Sequence, residues 1–201
     1  MDNRTRSERT KDTALQAALT IIARDGAGKL TLDAIARESG ISKGGLMHQF
    51  HTKEAVVTAL LERQTAQLEA LAQKYIEDHG AGKTNPQLAA HIATSRQVIT
   101  GPAYSLSFAI FGLLAQEPGL LAISRGKDAG RLAAIRAEAA DPDLATLRWL
   151  AARGLVQTAL AGPSPLSLED QERLFERLLD DSQWPAPEKP AARPPRRRGT
   201  G

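Results

Sequence analysis

The sequence predicts an all-α protein, on three observations. Apolar residues recur at three- and four-residue spacing through nearly all of the 201 positions, the mark of helices with a buried face. No segment shows the alternation with a period of two that a half-buried strand needs. Breaks such as Gly101-Pro102 and "GPSP" at 162–165 fall between the periodic segments, where glycine and proline end helices.

Each element follows from local signals. In "TALQAALTIIARDG" Leu15, Ala18, Leu19 and Ile22 share one face, and Gly26 stands where a helix C-terminus favours glycine. Thr31 precedes "LDAIARES", with Ile35 and Ala36 as its apolar face and Gly40 as its stop. Ser42 is a good cap for "KGGLMHQF", and Thr52 for the helix that follows. From Lys53 the pattern runs to about Tyr75 or His79 through Leu60, Leu61, Leu68 and Leu71, and Gly80 ends it. Further helices are expected at 86–100, 103–116, 119–139, 142–161 and 167–181. From Gln183 onward "QWPAPEKPAARPPRRRGTG" is rich in Pro and Arg, holds too little apolar surface to bury, and reads as a disordered basic tail.

Composition narrows the setting. The chain has 42% hydrophobic and 24% charged residues, an ordinary globular balance, and no cysteine, which rules out disulfides and thiolate metal sites. The N-terminus "MDNRTRSERTKD" lacks the apolar run of a signal peptide, and no apolar stretch reaches membrane-spanning length. A cytoplasmic, nucleoid-associated location is therefore expected. The net charge of +3 is unevenly spread: residues 1–53 carry nine Lys/Arg against six Asp/Glu, residues 54–182 twelve against sixteen, and the last nineteen five against one. A basic front on an acidic body suggests an anionic partner at the N-terminal part.

Several chemical signals dissolve on inspection. "GAGK" at 26–29 and "GAGKT" at 80–84 imitate phosphate loops, but Ala23 and Glu77 stand where the first glycine belongs, and neither follows a strand. They read as helix-ending turns. His48, His51 and Glu54 have metal-like spacing, yet Thr52 starts a new helix between them, so no metal is expected. No Ser/His/Asp constellation can be nominated, His79 and His91 stand alone, and neither an enzyme nor a cofactor is expected.

The stretch "ISKGGLMHQFHTKEA" at 41–55 carries the sharpest signal. Two short helices at about 32–39 and 43–50 are joined by the turn Gly40-Ile41-Ser42, which is helix-turn-helix spacing, with Ile35, Ile41, Leu46 and Phe50 locking the pair. Gly44 and Gly45 each cost about 1 kcal/mol relative to alanine in a helix. They make sense where the second helix must bring its N-terminus close to a duplex. Lys43 and Lys53 are placed for phosphates, and Thr31 and Ser42 for both capping and phosphate contact.

"ALQAALTIIARDG…LTLDAIARESGISKGGLMHQFHTKEAVVTALL" resembles the DNA-binding domain of the tetracycline-repressor (TetR) family of bacterial transcriptional regulators over about residues 9–61. The resemblance implies three helices of DNA-binding domain in residues 1–53, ordered from about residue 9, and a larger helical effector-binding and dimerisation domain in residues 54–182. The implied protein is a homodimeric repressor bound to a pseudo-palindromic operator. A small, hydrophobic or amphipathic effector would release it by changing the separation of the two recognition helices. Met47 stands where the family commonly has Tyr, Gly45 where Ser or Thr often reaches a base, and Gln49 in place of an aromatic. Base reading is thus expected from Lys43, His48 and Gln49, the last toward adenine.

The rest of the chain offers weaker candidates. Ser95, Tyr104, Ser107, Phe108, Phe111 and Trp149, with Gln157 near in sequence, read either as core or as lining of an apolar effector cavity, and no cluster of charge marks a ligand type. The segments around 143–160 and 167–181 are apolar over much of their circumference. Leu147, Leu150, Leu155, Leu174, Phe175 and Leu178 are the candidates for a four-helix dimer interface. The competing reading is a helical interaction protein or enzyme without sequence-specific DNA binding.

Overall fold

The computed structural model describes residues 3–101, 104–116, 121–162 and 164–185. All regular structure among them is helical: α1 (Asn3–Asp25), α2 (Leu32–Ser39), α3 (Lys43–Gln49), α4 (Lys53–His79), α5 (Pro86–Thr100), α6 (Tyr104–Gln116), α7 (Leu121–Glu138), α8 (Pro142–Leu160) and α9 (Leu168–Leu179), with short 3₁₀ turns at Ala27–Lys29 and Asp181–Gln183.

The helix starts are made by the residues next to them. Thr31 Oγ1 accepts from the Ala34 amide at 3.1 Å, Ser42 Oγ from Gly45 at 3.2 Å, and Thr52 Oγ1 from Ala55 at 3.1 Å. Each such cap is worth about 1 kcal/mol. Gly40, with φ at 68°, ends α2 in the left-handed conformation that lets the chain reverse into α3. Asn85 does double duty: Oδ1 accepts from the Leu88 amide at 3.0 Å, while Nδ2 donates to the Ile135 carbonyl at 2.9 Å and ties the start of α5 to α7.

Two expectations about the ends are corrected. Residues ahead of residue 9 are already helical, from Asn3, and Ser7 among them accepts a hydrogen bond from Gln49 Nε2 of α3 at 2.9 Å. At the other end Gln183 is not disordered. Arg148 lies buried on α8, donates to the Leu178 carbonyl at 2.6 Å and pairs with Asp181 at 2.9 Å. Its guanidinium sits 5.6 Å from the Trp184 ring centroid, and the Trp184 indole donates to the Arg177 carbonyl at 2.8 Å. These bonds hold the chain through the second 3₁₀ turn. The Arg-rich run expected to be disordered lies outside the described residues.

Two apolar cores result. The first joins Leu15, Ile21 and Ile22 of α1, Leu30, Ile35, Leu46 and Phe50 to Val56 and Leu60 of α4, and takes in Ala109, Ile110 and Leu113 of α6. The expected boundary at residue 53 therefore cuts through this core, because α6 is packed against α1 and the first 3₁₀ turn. The second core joins Leu88, Ile92 and Ile99 of α5 to Ile135 of α7, Trp149 and Ala152 of α8, and Phe175 and Leu178 of α9. Among the described residues no single helix is long and apolar enough to cross a membrane.

Candidate nucleic-acid interface and ligand cavity

α2 and α3 form the expected helix-turn-helix, and burial sorts the residues of α3. Leu46 is 1% exposed and Phe50 3%, both turned into the first core beside Ile35, with Ile41 packed on the same cluster. Lys43, Gly44, Met47 and His48 make the exposed stripe of α3. Gly44 and His48, four residues apart, share the side of α3 turned furthest from Leu46, while Lys43 and Met47 are exposed at the helix start and flank.

The two glycines differ. A Cβ on Gly45 would stand 3.1 Å from Ser42 Oγ and 3.3 Å from Ile41 Cγ2, so this glycine is tied to the cap and the turn beneath it. A Cβ on Gly44 would meet nothing within 4 Å. The fold has no use for the missing side chain at Gly44. Gln49 is also reassigned: half-buried, it reaches back to Ser7 on α1 rather than lying with the exposed stripe. The expectation that it reads adenine conflicts with that bond, which follows from its place beside Leu46 on the helix flank.

Lys43 is held at 2.9 Å from Asp33 Oδ1, both side chains 70% exposed, and this ammonium draws the Asp33 carboxyl below its ordinary range. Thr31 and Ser42 are exposed, with their hydroxyls engaged as caps. Lys53 opens α4, where the Glu54 backbone amide, followed by the Thr52 hydroxyl, lowers the Glu54 carboxyl.

The second site is a cavity of about 510 Å³ inside the C-terminal body. Five helices line it. α4 gives Leu61, Gln64, Thr65 and Leu68; α5 gives His91, Thr94, Ser95 and Val98; α6 gives Ser107, Ile110, Phe111 and Leu114. α7 adds Lys127, Asp128 and Arg131, and α8 adds Trp149, Arg153, Val156, Gln157 and Leu160. Of the residues nominated from sequence, Ser95, Ser107, Phe111 and Trp149 line it. Tyr104 and Phe108 do not: they stack on each other with ring centroids 6.0 Å apart and are 38% and 49% exposed. They sit round α6 from the stripe Ser107–Phe111 that faces the hollow.

The expectation of no charge cluster is overturned. Asp128 accepts from Arg153 at 2.8 Å and from Arg131 at 3.4 Å, while Glu69 lies 3.6 Å from Arg131 and 3.7 Å from Lys127. The Arg153 guanidinium lies 5.0 Å from the Trp149 ring centroid. Burial, helped by the Arg131 guanidinium, lowers the His91 imidazole to about 4, so it is neutral at ordinary pH. Gln64 donates to Ser107 Oγ at 2.9 Å, whereas the hydroxyl of Thr94, a residue 6% exposed, finds no hydrogen-bond partner within the chain. His91, read from sequence as a lone residue, thus lies on a polar stripe with Thr94 and Ser95. The missed signal was polar residues at i, i+3 and i+4 of a helix otherwise buried nearly all round.

The proposed dimer contacts divide as well. Leu147 and Leu150 on α8 are 63% and 50% exposed. Phe175, at 0%, and Leu178, at 5%, are inside the chain's own second core and have no surface to offer a second copy. Leu155 packs partly buried against that core, and Leu174 is half-buried. α9 turns its strongest apolar face inward, which sequence periodicity alone cannot distinguish from a face turned outward.

A helix-turn-helix head on a helical body with a largely apolar cavity edged by an ion-pair cluster is the architecture of a ligand-responsive DNA-binding regulator. A family model described as bacterial regulatory proteins, tetR family, matches residues 14–60, and one described as a tetracyclin repressor-like C-terminal domain matches residues 85–183. The chain belongs to the TetR family of bacterial transcriptional regulators. Solved structures share the fold. A transcriptional regulator from Rhodococcus sp. Rha1 is 20% identical, with a TM-score of 0.63 over 84% of this chain and 93% of the other. AmtR from Mycobacterium smegmatis is 21% identical, with a TM-score of 0.59 over 88% and 87%. The multidrug binding protein EbrR, complexed with malachite green, is 16% identical, with a TM-score of 0.62 over 85% and 98%. No curated protein sequence matches the chain.

Proposed function

We propose that this regulator is a cytoplasmic homodimeric repressor that holds a pseudo-palindromic operator and lets go when a small effector fills the cavity. The observation that supports it best is Gly44. It gives up helix stability at a position where the fold would accept a side chain, in the middle of the exposed stripe formed by Lys43, Met47 and His48. Close approach of a duplex explains that absence, and no contact inside the chain does. Lys43 and Lys53 meet phosphates, His48 faces base edges, and Gln49 steadies α3 against α1.

The cavity is coupled to the head through two helices. α4 places Leu61 and Gln64 on the hollow and its first turns in the first core, and α6 does the same with Phe111 and Leu113. An effector that wedges between them shifts the head. Release requires that it bind the DNA-free arrangement more tightly. That EbrR, of the same fold, is complexed with a small molecule supports a small-molecule occupant here. Leu147 and Leu150 provide the exposed apolar face of α8 for the second copy.

The test is Gly44→Ala, studied by gel shift on an operator selected from genomic fragments. The variant should melt at a slightly higher temperature, since alanine is favoured by about 1 kcal/mol in a helix, while its affinity for the operator falls. A variant that binds the operator as well as the parent would remove the main support for the reading.

A further inference from the structure

We propose that the cavity takes an amphipathic monoanion, a single carboxylate on an apolar body, with Arg131 and Arg153 holding the carboxylate and the Thr94 hydroxyl as a further donor. This inference rests on reading the cavity as the effector site.

The charges that line the cavity, or pair with those that do, are uneven among the described residues. Lys127, Arg131 and Arg153 are served by only two carboxylates, Asp128 and Glu69. The set carries one excess positive charge, and Arg131 and Arg153, at 21% and 34% exposed against 55% for Lys127, are the cations least screened by solvent beside the hollow. One negative charge closes the deficit. His91 stays neutral because burial and Arg131 lower its imidazole to about 4, so it adds no second positive charge that would call for a dianion.

The donors have the right chemistry. A guanidinium offers two parallel N–H groups to a carboxylate, and Arg153 is steadied for this by lying over the Trp149 ring, 5.0 Å from its centroid. Thr94 is the independent sign of a missing partner: it is a residue of the cavity wall whose hydroxyl is buried and has no hydrogen-bond partner within the chain, and native interiors rarely leave such a group unsatisfied. Elsewhere on the cavity wall, Val98, Ile110, Phe111 and Leu114 present apolar surface for the body of the ligand. An amine of the same shape would meet three cations against two carboxylates, both already engaged by those cations. An alcohol would leave the charge deficit standing.

Titration calorimetry on the purified full-length chain, without DNA, tests this with straight-chain carboxylates from hexanoate to tetradecanoate and the alcohols and amines of matching length. The best carboxylate should bind at least about tenfold more tightly than its alcohol, as expected for charge-assisted hydrogen bonds, and its amine should not bind. Arg131→Gln and Arg153→Gln should each bring the carboxylate-to-alcohol ratio toward one. That ratio is internal to each variant, so a partly unfolded sample does not imitate the result. Equal binding of alcohol and carboxylate, preference for the amine, or no binding by any carboxylate overturns the proposal. A gel shift with the same compounds separates the two readings. Carboxylate selectivity without release from DNA supports the anion inference and counts against the repressor. Release by alcohols and carboxylates alike overturns the inference and supports the repressor.

Discussion

The two cores of this chain are built to opposite plans. In the first, Leu30, Ile35, Leu46 and Phe50 are all 3% exposed or less, and the helix-turn-helix rests on these fully buried side chains. In the second, the packing of α5, α7 and α8 is interrupted by a hollow of about 510 Å³ lined with hydroxyls, an imidazole and an ion-pair cluster. A DNA-reading surface needs fixed geometry, which close packing gives. A sensor needs an arrangement that an occupant can improve, and an unfilled core leaves that room, since any ligand that binds only the folded state stabilises it. The first core holds α3 in place, and α4 and α6 belong to both regions, so what fills the second bears on the first.

The sharpest way to break this contrast is to trim a residue in each region. Leu46→Ala should cost about 2–5 kcal/mol, because a close-packed site collapses poorly around a new void, and should abolish operator binding. Val156→Ala on the cavity wall should cost about 1 kcal/mol or less, since its side chain already faces open space. Urea unfolding of both variants measures the difference. Equal losses would mean that the second core is as tightly packed as the first.

The next effect is electrostatic and confined to the hollow region. His91 titrates near 6.5 when unfolded and at about 4 in the fold, lowered first by burial and then by Arg131. Between those values the unfolded chain binds the proton and the folded chain does not, so stability falls as pH drops from about 6.5 to about 4. The loss is up to about 3 kcal/mol. Thermal melts across that range should show the slope, and His91→Gln should flatten it. A slope that survives the substitution would place its source outside the cavity.

How far the sequence disclosed these regions depends on how local their signals are. The caps at Thr31, Ser42 and Thr52, the left-handed Gly40 and the bounds of α5 are each written within a few residues, and the helix-turn-helix is built from such pieces. The cavity is not local. Its wall draws on five helices spread from Leu61 to Leu160, and nothing near His91 in sequence announces Arg131 or Arg153. Tyr104 and Phe108 misled because aromatic content was used as the guide, while the turn of α6 toward the hollow is fixed by Ala109 and Leu113 on the first core. Phe175 misled for the same reason in reverse: its helix is strongly two-faced, and only the tertiary packing shows which face is taken.

The smallest expected change in stability, and the one that best isolates the reading head, concerns Lys43 and Asp33. Their ion pair is 2.9 Å long but 70% exposed on both sides, and such pairs contribute little because solvent screens them. Both Lys43→Ala and Asp33→Asn should therefore leave the melting temperature nearly unchanged. Their effects on DNA should be opposite. Lys43→Ala should weaken binding across sequences and reduce the slope of log affinity against log salt by about 0.9, as loss of one phosphate contact would. Asp33→Asn removes the carboxylate that competes with phosphate for the same ammonium, and should tighten binding several-fold at low salt. If Asp33→Asn weakens binding instead, the pair holds Lys43 in the orientation that DNA requires. The exposed stripe of α3 would then be preorganised by surface charge as well as by the core beneath it.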